Sequence, residues 1–161
     1  MARSETKIYL GATSIRLDEL NRTIARAEQA GESGASGGAR RVGEASDLTK
    51  LREEFAALTA EADQAGDYIV VRPLRDDEWD DLCDEHPPRE EKRYADTDDA
   101  LGFNARTGRR ALIFAALVEP EIATRTEFDA WVERKELTRG ELEGIALQVW
   151  QLTNRSPFAP K

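Results

Sequence analysis

Asp96, Asp98 and Asp99 are the residues that most invite chemistry, since alternating carboxylates can coordinate calcium. A calcium-binding EF-hand loop also needs Gly at its sixth position and a bidentate Glu at its twelfth. Counted from Asp96, the fifth position is Ala100, the sixth Leu101 and the twelfth Thr107, so the pattern fails and no metal site is expected. His86 is the only histidine, with Cys83 three residues before it. Imidazole can move protons near neutral pH. However, one Cys and one His do not make a zinc site, and no nucleophile with a supporting triad can be argued around His86. It reads as a structural, helix-ending histidine. Asp76–Glu85 holds seven acids in ten residues, a density that marks a solvated face better than a paired-carboxylate site. Gly31, Gly34, Gly37, Gly38 and Gly43 follow a helix instead of a strand and lack the Lys-Ser/Thr ending of a phosphate loop. These residues point to no catalytic group and no cofactor.

The segment Thr126–Asn154 has the outline of a helix-turn-helix. Its second helix, Glu141–Leu152, carries no Lys or Arg to reach bases or phosphates, so nucleic acid is not an expected partner. Trp79, Trp131 and Trp150 remain. Tryptophans mark interface hot spots and are also ordinary core residues of helical domains. Trp79, Leu82, Phe103, Trp131, Leu142, Val149 and Trp150 are the candidate partner-binding residues.

Charge narrows the classes further. Between Asp76 and Asp99 there are 12 acidic and 3 basic residues, which accounts for the whole net charge of −9; the remainder is balanced at 20 and 20. A general nucleic-acid binder needs a basic footprint, and this balance offers none. No apolar run approaches the roughly 20 residues of a membrane span, so no membrane association is expected. The N-terminus lacks a signal-peptide core. A single cysteine fits a reducing cytosol.

The elements that must position these residues are mainly helical. Ile8-Tyr9-Leu10 and Ile15-Arg16-Leu17 around Gly11-Ala12-Thr13-Ser14 read as a small β-hairpin. Asp18 suits an N-cap, and Leu17, Leu20, Ile24 and Ala27 form one helical stripe that should end near Ala30-Gly31. Residues 31–46 read as a flexible Gly-rich linker. Asp47 could cap a second helix carrying Leu48, Leu51, Phe55, Leu58 and Ala62, closed by Gly66. The two helices are expected to form an antiparallel hairpin or to pack on a partner chain. Asp67–Arg72 is the best strand, with the N-terminal hairpin as its expected neighbour.

From Leu74 the pattern predicts an acidic helix over Arg75–Glu85, loop over 88–99, a short apolar segment at Ala100–Asn104 and a buried helix over Ala111–Val118 stopped before Pro120. Thr124–Glu127 and Thr138–Glu141 have capping-box form and should start two further helices. The fold class is therefore mainly α: a small helical domain with an N-terminal helical hairpin and a minor two- or three-stranded β element. Its expected parts are 1–66 (hairpin plus coiled-coil helices), 67–154 (helical domain) and 155–161 (tail).

An ordered series of landmarks runs through the second part: Trp79 in its acidic stretch, His86-Pro87-Pro88, Leu101-Gly102-Phe103-Asn104, Leu117-Val118-Glu119-Pro120-Glu121, then two helices around Trp131 and Trp150 closing at Leu152-Thr153-Asn154. That order, over roughly Val70–Pro157, resembles the tail assembly chaperones of long-tailed bacteriophages, particularly those of actinobacterial hosts. The resemblance implies a non-enzymatic chaperone, found in the host cytoplasm and absent from the mature virion. It further implies that the protein coats the tape measure protein during tail morphogenesis, as a homo-oligomer and together with a frameshifted longer form of itself. The alternative reading is a structural virion component, such as a minor tail or head–tail connector protein.

Overall fold

The computed structural model describes residues 5–33 and 42–155. It divides into two compact units, Tyr9–Tyr68 and Met1–Ile8 with Ile69–Lys161.

The first unit is a pair of helices, α1 (Gly11–Ser33) and α2 (Val42–Ala65). Tyr9 donates its hydroxyl to Asp63, Arg16 pairs with Glu54 and Arg52 with Glu28, a set of partners that makes the helices antiparallel. At the base the Leu10 amide donates to the Asp67 carbonyl at 2.9 Å, and Tyr9 and Tyr68 meet edge to face. The expected β-hairpin over Ile8–Leu17 is not formed, because its second arm lies inside α1. Gly11, at φ 64°, turns the chain directly from strand to helix. Leu17 and Leu20 are then buried on the helical stripe, and that burial outweighs the β-propensity of Ile15-Arg16-Leu17. The expected linker over 31–46 is also shorter than predicted. Residues 31–33 continue α1 and 42–46 belong to α2, so Asp47 is not a cap; residues 34–41 lie outside the described residues. Each residue added to an existing helix gains a backbone bond without a new nucleus, and so both helices overrun their expected ends.

The second unit is the helical domain with its small sheet. Strands β1 (Thr6–Tyr9), β2 (Tyr68–Val71) and β3 (Leu117–Glu119) lie in the order β1-β2-β3. Strand β2 runs antiparallel to β3, with Val70 opposite Glu119 and Val71 opposite Leu117. Ile69 and Val71 are fully buried. The β1–β2 neighbourhood is the pairing expected from sequence. Leu117-Val118, expected to end a helix, instead belongs to β3: Pro120 disfavours helical backbone at Glu119, and pairing with β2 carries the strand back to Leu117.

Helices α3 (Asp76–Glu85), α4 (Lys92–Leu101), α5 (Ala105–Ala116), α6 (Arg125–Arg134) and α7 (Arg139–Asn154) complete the unit. Helix α5 is central, touching α3, α4, α6 and α7. Its Leu112, Ile113 and Ala116 form the core with Phe128 and Val132 of α6 and Val149 of α7. Phe128 stacks on Trp131 at 6.0 Å between ring centroids. The expected loop over 88–99 is corrected to α4, and the short segment Ala100–Asn104 is its end and the cap of the next helix. Gly102, at φ 88°, closes α4 in the left-handed conformation. Asn104 caps α5, its side-chain oxygen accepting from the Arg106 and Thr107 amides. Helix α5 therefore starts six residues before the expected Ala111. The two predicted caps are present: Thr138 and Glu141 form a full capping box, while Thr124 accepts from the Glu127 amide.

Candidate functional site

The site is built outward from one buried charge. Asp98 is fully buried on α4. Its Oδ2 accepts from the Arg89 amide at 3.0 Å and Arg89 Nε at 2.7 Å, while Oδ1 accepts from Arg89 Nη2 at 2.9 Å and the Ala105 amide at 3.1 Å. Four donors on one carboxylate replace the water it has lost. The Arg89 hydrogen bonds, opposed by burial and aided by the two amides, hold the Asp98 carboxyl well below the usual carboxylate range. This side chain ties the α3–α4 connection to the start of α5, and all its acceptor capacity toward the protein is used.

Around it the landmark residues interlock. The Asn104 amide donates to the His86 carbonyl at 2.8 Å, and His86 Nδ1 lies 3.0 Å from Thr107 Oγ1. Trp79 meets Phe103 edge-on at 6.0 Å and 84°. Trp150 Nε1 donates to the Leu101 carbonyl at 2.9 Å, and Thr153 Oγ1 accepts the Leu74 amide at 3.1 Å. Gly108 permits the close approach of α5, since a Cβ there would stand 2.6 Å from Phe103 Cδ2. The series is thus a framework joining α3, α4, α5 and α7.

The candidate partner-binding residues are distributed unevenly in that framework. Leu82, Phe103, Trp131, Leu142 and Val149 are at most 8% exposed and serve the core. Of these, Phe103 still reaches the wall of a surface notch and Leu142 the wall of a cleft. Trp79 and Trp150 are half-buried, and Trp150 lines a surface concavity. That concavity is a notch of about 190 Å³ walled by Leu101, Phe103, Ala146, Leu147 and Trp150. Leu147, 48% exposed, stands at the lip of the notch.

Beside the notch, and sharing Ala105, Arg109 and Glu143 with it, opens a cleft of about 850 Å³. Six arginines line it: Arg89, Arg106, Arg109, Arg110, Arg125 and Arg139. Their carboxylate partners are shared. Glu143 meets Arg109 at 3.2 Å and Arg139 at 3.0 Å. Asp129 meets Arg110 at 3.0 Å and Arg125 at 3.5 Å. Glu133, largely exposed, reaches Arg110 at 3.6 Å. Among the described residues Arg106 forms no ion pair. The six arginines face four carboxylates (Asp98, Asp129, Glu133 and Glu143), which leaves an excess of positive charge suited to an anion.

The arginine cleft is not visible in a sum of charge along the chain, where these arginines cancel against nearby acids. The usable signal was Arg106, Arg109 and Arg110, which recur at helical spacing and therefore share a face of α5. The opposite charge lies on α3, where Asp76, Asp77, Asp80, Asp81, Asp84 and Glu85 are exposed. Glu78 is the exception: it takes Arg72 at 2.8 Å through both oxygens, and that bond brings its carboxyl from 4.5 down to about 2. Burial, then Asp80 and Asp84, push the Cys83 thiol up and away from thiolate chemistry.

Among the described residues no group of three His, Cys, Asp or Glu side chains is placed to hold a metal ion, and no helix is long and apolar enough to cross a membrane. No family model matches the chain, and neither a curated protein nor a solved structure matches it.

Proposed function

We propose that this protein is a tail assembly chaperone of a long-tailed phage that holds the tape measure protein before the tail tube forms around it. The observation that carries the reading is the apolar notch with Leu147 at its lip, set in a strongly charged surface. An aggregation-prone helix presents apolar side chains at intervals of three and four, and such a notch receives one or two of them. The surrounding charge keeps the complex in solution. The order of landmarks from Trp79 to Asn154 supports the same reading, since those residues form the framework that shapes the notch.

Co-expression with the tape measure protein tests it. The client should be soluble with this chain and aggregate without it; equal solubility in both conditions rejects the function. Mass spectrometry of purified virions separates the chaperone from a structural component, because a chaperone is missing from the finished particle.

A further inference from the structure

We infer that the arginine cleft is a docking site for the acidic helix α3 of a second copy of this chain. The contact stands apart from the client reading, because it concerns only this protein's own two patches. Both patches lie in the helical domain, and both carry unused charge. The cleft presents Arg106 with no ion pair among the described residues, and Arg139, 86% exposed, which has only a share of Glu143 because Arg109 takes the same carboxylate. Helix α3 presents Asp76, Asp80, Asp81, Asp84 and Glu85, all exposed and none in an ion pair among the described residues.

The charge of the chain is segregated to match. Asp76–Asp99 carries the entire net −9, while six arginines converge on a single concavity. Arginine forks take carboxylates in pairs, and acids one turn apart on a helix present two carboxylates to the same side. In α3, Asp77, Asp80, Asp81 and Asp84 have that spacing. Helix α3 cannot enter the cleft of its own chain, because it packs on α5, with Trp79 against Phe103 and Leu82 buried.

The two patches also adjoin. His86, which ends α3, touches Thr107 on the wall of the cleft at 3.0 Å. Neighbouring patches of opposite charge can be satisfied together by a two-fold axis, each cleft receiving the other copy's α3. A dimer is therefore the expected species. Arginine guanidinium groups suit this contact because they stay charged and lose hydration readily.

A charge swap tests the contact on the full chain by sedimentation velocity. The wild type should dimerise at low ionic strength (about 0.01 M, Debye length about 30 Å) and dissociate near 1 M, where screening acts within about 3 Å. Arg106→Glu with Arg139→Glu should weaken dimerisation by more than about tenfold, and Asp80→Lys with Asp84→Lys should do the same, since each places like charges face to face. An equimolar mixture of the two double variants should dimerise again, one contact being native and the other reversed. Circular dichroism checks that each variant is folded; if a double variant is not, the single pair Arg106→Glu and Asp84→Lys replaces it. A wild type that stays monomeric at low salt overturns the proposal, as does a mixture that fails to associate. So does a monomeric wild type that binds a DNA duplex through Arg106 and Arg139, which would make the cleft a nucleic-acid site.

Discussion

Arg89 closes on Asp98 through Nε at 2.7 Å and Nη2 at 2.9 Å, and also donates its own amide to the same carboxylate. The guanidinium lies 3.8 Å over the Tyr94 ring, so its outer face is covered as well. Asp98 is the only buried charged or polar residue among those described. Breaking a buried pair by removing one partner costs about 3–5 kcal/mol, because the other loses its compensation. Asp98→Ala should therefore lower stability by about 3 kcal/mol in urea unfolding, and Arg89→Ala should also destabilise the fold. If Asp98→Ala unfolds at the wild-type urea midpoint, the clamp is not a fold determinant.

Acid should unfold the helical domain through its two clamped carboxylates. Arg72 brings Glu78 from 4.5 to about 2, and Arg89 holds Asp98 below the carboxylate range. Both groups have lower folded than unfolded values, so their stabilisation is complete above the unfolded values and is lost as pH falls through the folded ones. Stability should be flat near neutrality and fall progressively from about pH 4 to 2. Melting temperature measured across that range should show the fall, and Glu78→Gln should make it shallower.

Two glycines in helices should respond oppositely to alanine. A Cβ on Gly108 would meet Phe103 Cδ2 at 2.6 Å and His86 Cβ at 3.2 Å, whereas one on Gly144 meets nothing within 4 Å. Gly108→Ala should destabilise by about 1–3 kcal/mol from overpacking, even after its gain in helix propensity. Gly144→Ala should stabilise by about 0.5–1 kcal/mol. The two urea midpoints, compared with wild type, decide whether α5 needs that close approach to Phe103.

Leu147→Asp should separate binding from folding. The side chain is 48% exposed at the lip of the notch, and a carboxylate there remains solvated in the free protein. Thermal unfolding should stay within a few degrees of wild type, since surface substitutions usually fall within about 0.5 kcal/mol. The amount of tape measure protein kept soluble in co-expression should drop several-fold. Undiminished solubility would move the client away from the notch.

Much of the fold could be read from local sequence because local chemistry decides it. The caps at Thr124 and Thr138 work within four residues, and the aromatic and β-branched run Tyr68–Val71 needs only a neighbouring strand. The failures occur where a distant contact overrides a local preference. Residues 88–99 look like charged loop, yet from Lys92 they are helical, with Asp98 anchoring the helix to Arg89 and Ala105. Ile15-Arg16-Leu17 looks like strand, yet the buried positions of Leu17 and Leu20 require a helix. Phe103, Trp131 and Val149 carry the apolar character of binding residues, but position alone made them core.

The sequence alone determined a mainly helical chain with one strongly acidic helix, two capped helices near the C-terminus and a strand between two helical regions. It could do so because hydrophobic period, capping and local charge act over a few residues. Only the tertiary structure decided that Arg89, Arg106, Arg109, Arg110, Arg125 and Arg139 share one cleft. They come from the α3–α4 connection, α5, α6 and α7, and they meet because α4, α6 and α7 all pack on α5. A field of that kind depends on distances through space, and a count of charge along the chain cancels it.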